Sequence, residues 1–78
     1  MDWREHIESR KDVMGGKPVI RGTRITVEII LEWLAAGWSE QEIFDNYPRL
    51  TPEGLKAIFA FAREVVADQL YAVVPKAA

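Results

Sequence analysis

The sequence predicts a small, mainly α protein: a three-helix bundle that contains a helix-turn-helix and follows a short N-terminal β-hairpin or extended arm. Its 78 residues are the length of one small domain. Three hydroxyl residues suited to cap helices each precede an apolar run, and a glycine-containing segment rich in β-branched residues lies before the first of them. We therefore expect one domain over residues 1–72, with a basic arm over 7–26 and a tail over 73–78.

The first two helices are expected over residues 27–36 and 40–47. Thr26 and Ser39 precede them, and a hydroxyl at that position can accept a backbone N–H that the helix leaves free. Gly37 lies between the helices and can adopt the left-handed conformation that ends the first. A short turn that contains glycine and then a polar cap is typical of a helix-turn-helix.

The third helix is expected over residues 52–71, because Thr51 can cap it and proline occupies its first position. Apolar residues at helical spacing predict the face that packs on the other two helices. These residues are Leu55, Ile58, Phe59, Ala62, Val65, Val66 and Leu70.

The segment before the first helix favours extended structure. Val19 and Ile20 are β-branched, and Gly22 can occupy the position of a tight turn that requires a positive φ. Thr23 can bond to the local backbone and stiffen that turn. We expect one short hairpin or an ordered arm here.

Charge is divided unevenly along the chain. The net charge is −2, but residues 10–26 carry a local balance of +4 and residues 27–78 a balance of −4. Arginine and lysine on an extended arm can contact phosphates or the minor groove of DNA. The candidates for nucleic-acid contact are Lys17, Arg21, Arg24, Arg10 and Lys11. The alternative is that these side chains are solvated, or bond to carbonyls and carboxylates of the protein.

The acidic composition of the second predicted helix argues against base recognition by this helix in the major groove of DNA. A recognition helix would place Glu40, Glu42 and Asp45 near a phosphate backbone that repels them. The pattern favours instead a structural bundle with an acidic solvated face.

Apolar residues make up 49% of the chain, which is a large share for so small an interior. Some of them fall outside the predicted core stripes and are candidates for an interface with a second copy or another protein. They are Trp33, Ile29, Phe61, Tyr71 and Ala57. The alternative is that the N-terminal arm folds back and covers them.

The composition argues against an enzyme. Cysteine is absent, and the single histidine, His6, lies near the acidic N-terminus. Glu28 and Glu32 are one helical turn apart, but no further ligands accompany them, so we expect a solvated stripe and no metal or cofactor. The longest apolar run is far too short to span a membrane, and no secretory signal is evident. We expect a cytoplasmic protein.

The sequence resembles the domain-of-unknown-function family 433, small prokaryotic proteins with a homeodomain-like helical core. The resemblance rests on the string GKPVIRGTRI over residues 16–25, here named the signature segment, and on Val27, Gly37-Trp38-Ser39, Tyr47-Pro48 and Leu50-Thr51. It implies an antitoxin component of a toxin–antitoxin pair that masks a PIN-like ribonuclease and binds operator DNA. The apolar residues outside the core stripes add the expectation of a homodimer. The alternative is a protein-interaction or dimerisation module that never meets nucleic acid.

Overall fold

The computed structural model describes residues 1–68 and places three helices behind a short two-stranded sheet. The strands are β1 (Ile7–Glu8) and β2 (Val19–Ile20), which pair antiparallel. The helices are α1 (Val27–Ala35), α2 (Glu40–Asn46) and α3 (Pro52–Asp68). This arrangement confirms the predicted fold class. The predicted tail, the end of the third predicted helix and Tyr71 lie outside the described residues.

Local capping starts each helix as predicted. Thr26, Ser39 and Thr51 each accept the backbone N–H three residues later, at 3.0 to 3.1 Å. At α2 the side chain of Glu42 also accepts the N–H of Ser39 at 3.0 Å, which completes a capping box. Gly37 has a φ of +100°, the left-handed conformation expected just after α1.

The core forms where the three helices meet the sheet. Ile30, Ile43 and Ile58, one from each helix, have no exposed surface. They pack in one cluster with Ile7 and Ile20 of the two strands. Burying a side chain of this size contributes about 1.5–3 kcal/mol, so these residues account for much of the stability of so small a domain.

The N-terminal arm differs in detail from the predicted hairpin. The tight turn at Gly22 is present, with a φ of +76°. It brings Val19 opposite Thr26 in an isolated bridge, and Ile20 donates its N–H to the carbonyl of Ile25 at 2.8 Å. The partner of β2 in the sheet comes from further upstream, because β1 packs along its other side.

The inward face of α3 agrees only in part with the one that the apolar spacing predicts, since Leu55 and Ile58 are buried as expected. Three residues assigned to the core are exposed: Phe59 by 44%, Val65 by 42% and Val66 by 60%. Ala57 is fully buried instead, and Phe61 packs against the core. Trp3 decides this choice, since its ring meets Phe61 edge to face with centroids 4.8 Å apart. Within residues 1–68, no helix is long and apolar enough to cross a membrane.

Candidate functional site

The signature segment folds into a loop that is bonded to itself. The buried hydroxyl of Thr23 donates to the carbonyl of Ile20 at 2.7 Å and accepts the N–H of Ile25 at 3.0 Å. The N–H of Thr23 also donates to the carbonyl of Ile20, at 3.0 Å. Since the backbone turns at a glycine and a threonine side chain closes the turn, the loop is held in shape by its own hydrogen bonds.

Arg21 fastens this loop to the N-terminus of the chain. Its guanidinium donates to the carbonyl of Arg4 at 2.7 Å, to the carbonyl of Glu5 at 3.3 Å and to the carboxylate of Glu8 at 3.3 Å. A planar guanidinium suits such a set, because its five N–H groups point in fixed directions. Of the two interpretations of Arg21, the structure supports the structural one.

Glu8 was not among the predicted site residues, although it holds the turn. Its side chain is only 16% exposed and lies against the turn from β1. One oxygen accepts from Arg21, and the other accepts the backbone N–H of Gly22 at 2.9 Å and lies 3.7 Å from Arg10 Nε. The bond to Gly22 spans fourteen positions, and no local pattern marks such a long-range contact.

Two further cations of the predicted nucleic-acid arm are paired within the protein. Arg10 lies beside Glu8, and Lys17 donates to Glu28 at 2.8 Å. That hydrogen bond raises the pKa of Lys17 and lowers the pKa of Glu28 from their ordinary values. Both side chains of the second pair are exposed, so a stronger anion could still displace Glu28.

Arg24 and Lys11 are exposed and form no ion pair with any residue from 1 to 68. They are therefore the cations of the arm that remain available for an external partner. The five predicted residues do not form one basic surface patch, because Arg10, Lys17 and Arg21 are already engaged.

A groove of about 530 Å³ runs between the signature segment and α1. Arg24 lines it together with Arg49, a residue of the loop between α2 and α3. Arg49 Nη2 lies 4.0 Å from the point where a side chain at Gly22 would begin. Arg49 was not predicted as a site residue, because only the tertiary fold brings the second loop beside the first.

The predicted partner-interface residues are largely used inside the molecule. Ala57 has no exposed surface and belongs to the core, so its assignment to an interface is wrong. Trp33 stacks on Trp38, with centroids 4.4 Å apart, and donates its indole N–H to the hydroxyl of Tyr47 at 2.9 Å. Ile29 is half-buried against the core.

Phe61 is half-buried, because the N-terminal turn, a single helical turn over Trp3–Glu5, folds over it, as the alternative interpretation expected. Trp3 donates its indole N–H to Glu64, and Arg4 donates to the same carboxylate at 3.1 Å. Both hydrogen bonds lower the pKa of Glu64 from its ordinary value, and the bond from Trp3 has the larger effect. The turn is thereby fixed on α3.

The exposed apolar surface lies instead on the outer side and toward the end of α3. Phe59 and Val66 are seven residues apart, which places them two turns apart on one side of the helix. Val65 is exposed as well and points roughly 100° further round the helix. We name Phe59, Val65 and Val66 the α3 apolar face.

The second helix of the helix-turn-helix is acidic on its exposed surface. Glu40, Glu42 and Asp45 are all exposed, and Asp45 accepts a hydrogen bond from Gln41 at 2.8 Å. The part of the chain that the structure describes contains no group of three side chains able to hold a metal ion.

Comparison with known proteins identifies the family. The chain is 36% identical over 59 residues to the uncharacterized protein y4eO of Sinorhizobium fredii, a match that covers 76% of this chain and 27% of that protein. The chain thus spans about a quarter of the length of this relative. No solved structure matches this chain significantly. The family described as "Protein of unknown function (DUF433)" matches over residues 7–62, which include the signature segment, the helix-turn-helix and most of α3. The chain therefore belongs to the DUF433 family.

Proposed function

We propose that this chain is an antitoxin-like regulator that binds a second protein, a PIN-like ribonuclease toxin, and holds it inactive. The α3 apolar face is the observation that carries the proposal. Its three residues are 42–60% exposed. An apolar surface of this kind on a small domain is stabilised when a partner removes it from water.

The shape of α3 suits such a partner. The helix has 17 residues, which makes it roughly 25 Å long, and its apolar face continues past the part packed on the bundle. An amphipathic helix with apolar residues at this spacing binds a hydrophobic groove on another protein. Burial of Phe59 and the two valines would supply the apolar centre of the interface.

The experiment is recovery of the tagged full-length chain from its native host after nuclease treatment, followed by mass spectrometry and a ribonuclease assay. We expect a ribonuclease in stoichiometric amount whose activity rises when the two proteins are separated. The variant Phe59→Ser with Val66→Ser is expected to recover no ribonuclease. Lys56→Ser is the matched control, since it alters an exposed polar position of the same helix and leaves the apolar face intact.

Retention of the ribonuclease by the double variant would move the interface away from α3. The chain could instead be recovered without another protein and form a dimer in light scattering that Phe59→Ser disrupts. That result would identify a second copy of the chain, and not a toxin, as the partner of the α3 apolar face. These variants change only exposed residues, so each is expected to fold. Circular dichroism checks this before binding is measured.

Operator binding is the second candidate function, and the exposed cations Lys11 and Arg24 favour it. Removal of one phosphate-binding cation lowers the slope of log affinity against log salt by about 0.9. The variant Lys11→Ala with Arg24→Ala should therefore lower that slope by about 2 on duplex DNA from the chain's own promoter. An unchanged slope would favour the alternative function, a protein-interaction module that does not bind nucleic acid. The acidic surface of α2 already argues against contact through that helix.

A further inference from the structure

The groove beside the signature segment combines an apolar floor with two cations that have no partner among residues 1–68. Arg24 and Arg49 both line it, and neither is hydrogen-bonded or ion-paired to a residue between 1 and 68. Ile25 and Ile29 contribute apolar surface to the same groove, and both are half-buried. The side chain of Tyr47 lines it as well, fixed in place by the indole of Trp33.

Arg49 lies beside the glycine of the signature turn. Its guanidinium lies over Gly22, at 4.0 Å from the place of a missing Cβ. Arg24 follows two residues later in the same turn. Both residues line the groove, and the paired N–H groups of an arginine are the geometry that holds a carboxylate.

The carboxylates of the groove favour a peptide over a polyanion as its occupant. Glu28 and Glu32 project from α1 into the lining, and among residues 1–68 a cation neutralises Glu28 alone, through Lys17. A phosphate backbone that followed the groove would meet these carboxylates, whereas a peptide presents one carboxylate at a time. The apolar floor also suits a side chain better than a phosphate or sugar.

We infer that this groove is a binding site for an acidic peptide segment of a partner protein, with its carboxylate held by Arg24 and Arg49 and a neighbouring apolar side chain on Ile25, Ile29 and Tyr47. The site goes beyond the proposed function, because no described residue of α3 lines the groove. It gives the signature segment a second role: the bonds of Thr23 and Arg21 make the loop rigid, and the rigid loop presents Arg24.

The test is an NMR titration of the full-length ¹⁵N-labelled chain with two capped tripeptides, acetyl-Glu-Leu-Leu-amide and acetyl-Gln-Leu-Leu-amide. We expect the glutamate peptide to shift the side-chain Nε–H signals of Arg24 and Arg49 and the amide signals of Ile25 and Ile29. The glutamine peptide should bind about tenfold more weakly, because it has the same shape without the charge.

Arg24→Gln with Arg49→Gln should reduce the affinity for the glutamate peptide about tenfold and leave that for the glutamine peptide nearly unchanged. Arg63→Gln is the control, since it removes an exposed arginine of α3 outside the groove. Equal binding of both peptides by the parent chain, or shifts outside the groove, would overturn the inference. A short duplex DNA that shifts the same arginine signals when the glutamate peptide does not would assign the groove to nucleic acid.

The outcome is separable from that of the proposed function. Loss of peptide binding in the Arg24 and Arg49 variant leaves the α3 apolar face intact. A ribonuclease retained by this variant but lost by Phe59→Ser with Val66→Ser would place the two activities on two surfaces.

Discussion

Arg21 is expected to matter for folding, so its removal should lower stability whether or not DNA is bound. Arg21→Ala deletes three hydrogen bonds, two to the carbonyls of Arg4 and Glu5 and one to the carboxylate of Glu8. Such bonds from a charged donor contribute about 1.5–3 kcal/mol each when buried. The Arg21 side chain is 55% exposed, and water replaces much of what is removed. The three bonds together then contribute about 1–2 kcal/mol.

The assay is urea unfolding followed by circular dichroism. A domain of this size has a slope near 1 kcal/mol per molar urea, so the midpoint should fall by about 1–2 M. The melting temperature should fall by roughly 5–10 °C. Arg24→Ala is the matched control: it removes an arginine three positions away that bonds to no residue within 1–68, and its stability should stay within about 0.5 kcal/mol of the parent. Equal stability of Arg21→Ala and the parent would refute the reasoning.

Three further predictions concern the bundle. Ile43→Ala removes a side chain that has no exposed surface, at the contact of α1 and α2. The free energy of unfolding, measured in urea, should fall by about 2–5 kcal/mol. A fall below about 1 kcal/mol would mean that this contact is loosely packed. Tyr47→Phe leaves the indole N–H of Trp33 without its acceptor, so we expect stability to fall by about 1 kcal/mol in the same assay, and an unchanged midpoint would contradict the bond. The third prediction concerns pH. The pKa of Glu64 lies below its ordinary value of 4.5, so its bonds stabilise the fold above that pH, and the benefit is lost as the pH falls through the lowered pKa. Glu64→Gln should therefore be less stable than the parent at neutral pH, and the difference should shrink in unfolding curves measured below about pH 4.5; a difference that is constant down to about pH 3 would argue against this role.

The signature segment requires care when its function is tested by mutation. Its threonine and its first arginine bond within the protein, so a variant of either would weaken binding simply by unfolding the loop. Arg24 is the residue of the segment whose substitution separates binding from stability. The same holds for Arg49 in the loop after α2, which shares the groove with it.

The choice of face on α3 shows the limit of reasoning from apolar spacing. Apolar residues surround much of this helix, so two different stripes satisfy a helical period. The pattern favoured Phe59, yet the fold buries Ala57 and packs Phe61. Trp3 selects between them from near the N-terminus, with its bond to Glu64 spanning 61 positions. A contact of that separation leaves no trace in the periodicity of either segment.

Local sequence was sufficient to place the helix starts and the turns. The hydroxyls of Thr26, Ser39 and Thr51 each bond to an N–H three residues away, and Gly37 supplies a left-handed φ at its own position. Such bonds depend only on neighbouring residues, so their pattern is legible before the fold is known.

The side chains left to face a partner were selected by packing between distant segments. Glu8 holds Gly22 across fourteen positions, and Arg49, from the loop after α2, lines the same groove as Arg24. Once Arg21 was fixed to the N-terminal turn and Lys17 to α1, Arg24 and Lys11 remained as the exposed, unpaired cations of the arm within residues 1–68. The physical reason is that charge pairing and burial join segments that become neighbours only after the chain has folded.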